Sequence, residues 1–169
     1  MVATHNTKEV VATVTLTNSI KDITKHEWDT CAGLDNPFLS YDFMSSLEDS
    51  GSVGPETGWL PQHLLYRNSS KKLIGIVPLY LKGHSYGEYV FDWGWADAFE
   101  RAGQKYFPKL LSAVPFTPVT CPKLFVCPGE NKEQVHSVLA SGLVSALTQL
   151  KVSSLHVNFS TESDWNFLG

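Results

Sequence analysis

The chain has 169 residues, 43% of them hydrophobic and 18% charged, with a formal net charge of -4 at pH 7. Those values describe a folded domain large enough for a real core, and exclude a disordered chain. The acidic balance excludes a basic field for gripping nucleic acid. No apolar run approaches the ~20 residues of a membrane-spanning helix.

Residues 1–8 read as a flexible lead and residues 9–169 as a single domain. Met1 to Glu9 has no apolar core of the kind a secretory signal needs. The three cysteines, Cys31, Cys121 and Cys127, are odd in number and lack CxxC spacing. This argues against a disulfide framework and a zinc site, so no metal is expected. A reducing compartment follows, which makes the cytoplasm the expected location, or a plastid had a presequence been removed.

Glu9–Thr17 (EVVATVTLT) is β-branched and alternating, and predicts a first strand. Thr24 with Glu27 three residues on forms a capping box for a helix that Gly33 ends, with Trp28 and Cys31 on one face. Pro37 biases Asn36 toward an extended link. Ser40 then caps a helix over Tyr41–Asp49, with Phe43, Met44 and Leu47 as its apolar stripe. Gly51–Gly58 is a loop without the phosphate-binding GxxxxGK[ST] pattern.

Leu60–Tyr66 and Lys72–Leu81 flank turn residues, which predicts a hairpin with the nearly all-apolar second strand central. Pro78 cannot donate within that strand and predicts a bulge or an edge position. Tyr89–Phe91 reads as β-like and Trp95–Gly103 as helical. Tyr106 to Pro122 is too irregular for a helix, and Lys71, Lys72 and Lys105 to Lys109 read as solvated surface. A short strand at Lys123–Cys127, a long helix over Asn131–Leu150 and a strand at Ser153–Phe159 suggest a parallel pair with a crossover. Thr161 caps a last helix.

Within this order, His84–Trp95 stands out: HSYGEYVFDWGW puts five large aromatic side chains among His84, Glu88 and Asp92. Aromatics favour burial, whereas carboxylates and imidazoles are costly to bury unless paired. Such a segment is either a satisfied structural crossing or a site wall. On an extended chain, residues two apart share a face, which would align Tyr86, Glu88, Val90 and Asp92. Asp92 also reads as a turn cap, and His84 as a solvated loop histidine.

Several strings have a family resemblance. Asn36-Pro-Phe-Leu-Ser-Tyr-Asp-Phe, Gly51-Ser-Val-Gly-Pro-Glu-Thr-Gly-Trp-Leu-Pro, Pro78-Leu-Tyr-Leu-Lys, His84-Ser-Tyr-Gly-Glu-Tyr-Val-Phe-Asp-Trp and Pro115-Phe-Thr-Pro-Val-Thr resemble the FemAB-like N-acyltransferases. The resemblance runs from Asn36 to Phe159. It implies an α/β, GNAT-like fold: a mixed central sheet flanked by helices, here ending before its last strands. It also implies only the first half of a tandem protein, so a second GNAT-like half or a homodimer is an expected partner.

The implied reaction moves an acyl or aminoacyl group from an activated donor to an amine. An amine must lose a proton and the oxyanion must be stabilised. Glu88 or Asp92 is the expected acidic member with His84 nearby, and Tyr86, Tyr89, Trp93 and Trp95 form the substrate wall. No tightly bound cofactor is expected. Acyl-CoA is the expected co-substrate, meeting Val126, Cys127, Gly129 and Asn131 at a helix N-terminus. The usual glycine-rich pyrophosphate loop is missing there, and Glu130 would repel phosphate. The alternatives are an inactive pairing module and a hydrolase using Cys121 or Cys127.

Overall fold

The structure is a computed structural model and describes residues 11–169. The expected lead, and the start of the first expected strand, lie outside the described residues. In chain order the elements are β1 (Thr13–Thr17), α1 (Lys25–Ala32), α2 (Tyr41–Asp49), β2 (Trp59–Pro61), β3 (His63–Arg67), β4 (Leu73–Val77) and β5 (Tyr80–Lys82). There follow α3 (Trp93–Arg101), β6 (Lys109–Ser112), β7 (Phe125–Val126), α4 (Lys132–Leu150), β8 (Leu155–Val157) and α5 (Glu162–Leu168).

The strands form two four-stranded sheets, ordered β1-β3-β4-β7 and β2-β5-β6-β8. The first is antiparallel throughout; the second is mixed, because β6 and β8 pair in parallel. The expected hairpin is present, but each arm is bent and serves both sheets. Pro78 interrupts the ladder between β4 and β5, as a residue without an N–H must. Pairing is carried round the corner by Gln62 N–H donating to Leu79 O at 2.8 Å. The ribbon therefore crosses from one sheet to the other on that bond, while Leu79 N–H donates to the side chain of His63 at Nδ1, 3.3 Å away.

Local signals place the helices. The Thr24–Glu27 capping box forms on α1, and Ser40, Asn131 and Thr161 cap α2, α4 and α5. Two apolar layers hold the sheets. Trp28 of α1 and Met44 of α2 pack with Trp59, Ile76, Tyr80, Leu111 and Phe125 on one side. Leu139 and Leu143 of α4 pack with Leu64, Val77 and Leu110 on the other. Each such fully buried side chain contributes roughly 1.5–3 kcal/mol.

Five expectations are corrected. Tyr89–Phe91 is not a strand: Gly87 and Tyr89 take positive φ values of 78° and 57°, which coil the segment into a turn. The alternation argument that aligned Tyr86, Glu88 and Asp92 therefore fails. Residues after Tyr106 form strand β6, whose Lys109 is fully buried rather than solvated. The parallel partner of β8 is β6, since β7 leaves for the other sheet. Cys31 and Cys127, 96 residues apart, are joined in a disulfide; sequence spacing could not show that α1 and β7 lie side by side.

Candidate functional site

The strand register assembles a row of unusual side chains. Trp59 on β2 lies opposite Lys82 on β5, and Lys82 opposite Lys109 on β6. Residues directly opposite in a ladder point to the same face, so two lysines stand side by side. Neither side chain reaches solvent. The turn from Gly83 to Asp92 covers them and supplies the counter-charges.

Lys109 is the hub. Its Nζ donates to Ser85 Oγ at 3.0 Å, Glu88 Oε2 at 2.9 Å and Asp92 Oδ2 at 2.6 Å. Tyr106 Oη also donates to Asp92 Oδ2, at 2.7 Å. Lys82 Nζ lies 3.6 Å from the centre of a Trp59 ring and donates to Tyr86 O at 3.3 Å. Two acceptor atoms are left over: Glu88 Oε1 and Asp92 Oδ1 are buried without a hydrogen-bond partner among the described residues.

The two carboxyls are pushed apart. Burial raises the pKa of Glu88, and the lysines only partly offset it. Burial would also raise that of Asp92, but bonds from Lys109, Ser85 and Tyr106 overcome it and bring it down to about 2. Lys82 is lowered to about 7 by burial, with Lys109 adding to the effect and Glu88 opposing it. Divergent neighbouring groups of this kind separate an exchangeable proton site from a fixed counter-ion. Here Glu88 is displaced upward and Asp92 downward, although both hold the same Lys109.

A cleft of about 450 Å³ opens beside this cluster, lined by Leu47, Ser52, Thr57, Trp59, His84, Tyr86 and Phe116. Trp59 forms the partition between cleft and lysines, and its Nε1 donates to Tyr86 O at 3.1 Å. Phe116 is tied to the covering turn by its N–H to Gly87 O at 3.2 Å. The His84 ring accepts from Tyr86 N–H at 3.2 Å through Nδ1 and packs Nε2 against Gly58. Burial, and then Lys82, lower its pKa. His84 thus holds two loop segments together.

The structure brings Glu88 and Asp92 together, and sets His84 and Tyr86 on the neighbouring cleft wall. Trp93 stacks edgewise on Tyr86 at 5.3 Å. Tyr89 and Trp95 lie outside the cleft, 54% and 70% exposed. The four residues expected to meet the donor are engaged otherwise. Val126 pairs with Gly75 in the first sheet, and Cys127 is in the disulfide. Gly129 turns the chain at φ 84°, and Asn131 Oδ1 caps α4 by accepting from Gln134 N–H at 3.0 Å. Glu130, beside them, is paired with Lys72 at 3.1 Å. This loop does not fit a pyrophosphate: one glycine, a carboxylate and an occupied helix cap offer no cradle.

Sequence reasoning missed Lys82, Lys109, Ser85, Tyr106 and Trp59. One signal was present: Lys109 opens the run KLLSAVP, apolar but for Ser112, where a lysine is costly unless paired. The remaining cysteine, Cys121, is buried against Lys123, whose Nζ is 3.0 Å from its sulfur and donates to the carbonyls of Cys121 and Phe159. It lies away from the cleft. Among the described residues no helix is long and apolar enough to cross a membrane, and no cluster of three metal-ligating side chains occurs.

Among solved structures, the chain is similar to the aminoglycoside antibiotic 6'-N-acetyltransferase AAC(6')-Ih from Acinetobacter baumannii. The identity is 12%, the match covers 92% of this chain and 84% of that one, and the TM-score is 0.46. No curated protein matches. The model of the FemAB-like family, described as peptidoglycan biosynthesis/recognition, matches residues 19–169. With that match spanning nearly the whole sequence, the chain belongs to the FemAB-like family.

Proposed function

We propose that this domain transfers an acyl or aminoacyl group from an activated donor to an amine, with Glu88 as the proton acceptor. Family membership gives the transferase class. The observation that carries the residue assignment is the opposite displacement of two carboxyls held on one lysine. Asp92 stays ionised and anchors Lys109, while Glu88 keeps a raised pKa and an unpartnered oxygen. A base is most effective when its pKa lies near the working pH, and burial moves Glu88 in that direction.

In the proposed reaction the acceptor amine enters the cleft between Trp59, Tyr86 and Phe116. Glu88 is enclosed behind Trp59, so the covering turn must open for the ammonium to give it a proton; the free amine then adds to the donor carbonyl. The tetrahedral oxyanion collapses with loss of the donor's leaving group, which takes the second proton from the adduct's nitrogen, while Glu88 passes the first to water. Bonds balance as thioester plus amine giving amide plus thiol. Tyr86 and Trp93 are proposed as the outer wall of the acceptor site, and His84 as the ring that positions that wall. Acyl-CoA is the proposed donor through its thioester, with no protein contact assigned to its phosphates.

The test is turnover by the full chain with acetyl-CoA and a panel of primary amines, reading released thiol. Glu88→Gln should lower kcat/KM by about 10²–10⁴-fold with an unchanged circular dichroism spectrum. Full activity in Glu88→Gln would sink the assignment. A second reading, a non-catalytic pairing module, is favoured by one feature: Glu88 and Lys109 are wholly enclosed. Neither donor binding nor turnover with any amine would select it.

A further inference from the structure

The cleft beside the buried lysines carries an aromatic ring held there by strained backbone. Phe116 takes a φ of 57°, a left-handed conformation that bulky side chains rarely adopt. Strain of that kind persists only where the surroundings fix it, and it clusters at ligand clamps. Two contacts fix it here. Phe116 N–H donates to Gly87 O at 3.2 Å. A Cβ on Gly87 would stand 2.6 Å from Phe116 Cδ1, so only glycine leaves the ring its place. The ring is set 5.3 Å from that of Trp59 at a tilt of 49°, yet stays 39% exposed. It is therefore presented to the cleft rather than spent on filling the core. Tyr86 supplies a second open ring, 62% exposed and packed edgewise on His84 at 4.9 Å.

The polar side chains of the lining are already engaged. Thr57 Oγ1 donates to Gly54 O at 3.0 Å, and Ser52 Oγ is bonded to Ser50 Oγ at 3.0 Å. His84 Nδ1 accepts from Tyr86 N–H at 3.2 Å. Among the described residues no carboxylate, lysine or arginine lines the cleft.

These features select a class of ligand. A sugar amine would bring hydroxyls that lose water without finding partners. A polyamine or an amino acid would bring a second charge with no counter-charge. A flat ring loses no polar contact and gains edge-to-face contacts with Trp59, Phe116 and Tyr86. The volume of about 450 Å³ suits a small molecule. We propose that the cleft binds the ring of an arylalkylamine, a single aromatic ring system joined to one primary amine. The amine's part as acyl acceptor rests on the acyl-transfer reading; the binding of the ring does not.

The test is isothermal titration of the full chain with tryptamine, 2-phenylethylamine, hexylamine, glucosamine and putrescine, followed by acetyl-CoA turnover with the same amines. The two aryl amines should bind about 3–10-fold more tightly than hexylamine, as aromatic pairing beyond buried area allows. Glucosamine and putrescine should bind more weakly than hexylamine. Tyr86→Ala and Phe116→Gly should each remove most of the preference for a ring, with unchanged circular dichroism spectra. Glycine accepts the φ of Phe116, and the Tyr86 side chain is mostly in water, so neither change should unfold the chain. Equal affinity for hexylamine, tighter binding of glucosamine or putrescine, or no binding of any amine overturns the proposal. So does a ring preference that survives in both variants. Ring-selective binding without turnover supports the proposal and counts against acyl transfer. Turnover of glucosamine or putrescine without aryl-amine binding overturns it and leaves acyl transfer standing.

Discussion

Lys82 is the residue whose state matters most. It is buried beside a second buried lysine, and burial first, then Lys109, lower its pKa to about 7. In the unfolded chain a lysine titrates near 10.4. Between roughly pH 7 and pH 10.4 the unfolded chain therefore carries a proton that the folded chain lacks, and stability rises with pH across that window. Below pH 7 the cost of the second buried charge is present in full. Lys82→Met keeps the packing against Trp59 and removes that cost. It should stabilise the fold by ~1–4 kcal/mol at pH 6, by analogy with replacing buried charges by apolar side chains. The gain should shrink toward pH 10. Urea midpoints at pH 6, 8 and 10 check this, and a gain independent of pH would contradict it. Asp92, held at about 2, works in the opposite range: its contribution is present above the usual carboxyl pKa and is lost as the pH falls through about 2.

At the scale of elements, α4 decides how closely the first sheet can be covered. Its Val135 and Leu139 lie directly over Gly75 in β4, where an added methyl would stand 2.7 Å from Val135 Cγ1 and 3.2 Å from Leu139 Cδ1. A strand glycine often marks such a close approach. Gly75→Ala should destabilise the protein by about 1–3 kcal/mol through overpacking, read as a lower urea midpoint with unchanged slope; an unchanged midpoint would show that α4 can yield. Most helices were legible because their signals are local: Thr24 with Glu27, Ser40, Asn131 and Thr161 act on backbone N–H groups within one turn. β6 was not legible, because KLLS takes its strand form from β5 and β8 on either side. Nor was the turn before α3, where alternation suggested a strand and the positive φ of Gly87 and Tyr89 gave a coil.

At the scale of the molecule, one covalent link ties distant parts. Cys31 in α1 and Cys127 after β7 enclose a loop of 96 residues. Thiol titration in denaturant without reductant should read one thiol per chain, that of Cys121, and three after reduction. Cys127→Ser should cost about 2–4 kcal/mol by freeing the unfolded chain. Three thiols before reduction would rule the bond out. The same packing builds the candidate site, drawing Trp59, Lys82 with the 83–92 turn, and Tyr106 with Lys109 from three segments. No window of sequence contains them together.

The sequence by itself determined the family strings, the helix caps, the mixed α/β class and the choice of Glu88 and Asp92 as chemically unusual. These are properties of neighbouring residues, or of residue types that are costly to bury. The tertiary structure decided that the two carboxyls are displaced in opposite directions, because that depends on Lys82 and Lys109 meeting in register on β5 and β6. It also decided that α3 leaves Trp95, Ala98 and Ala102 exposed while Ala96 and Phe99 are only half-buried. A pKa depends on the local dielectric and the nearest charges, and an unpartnered face on what the rest of the chain leaves uncovered; both are set only when distant segments pack.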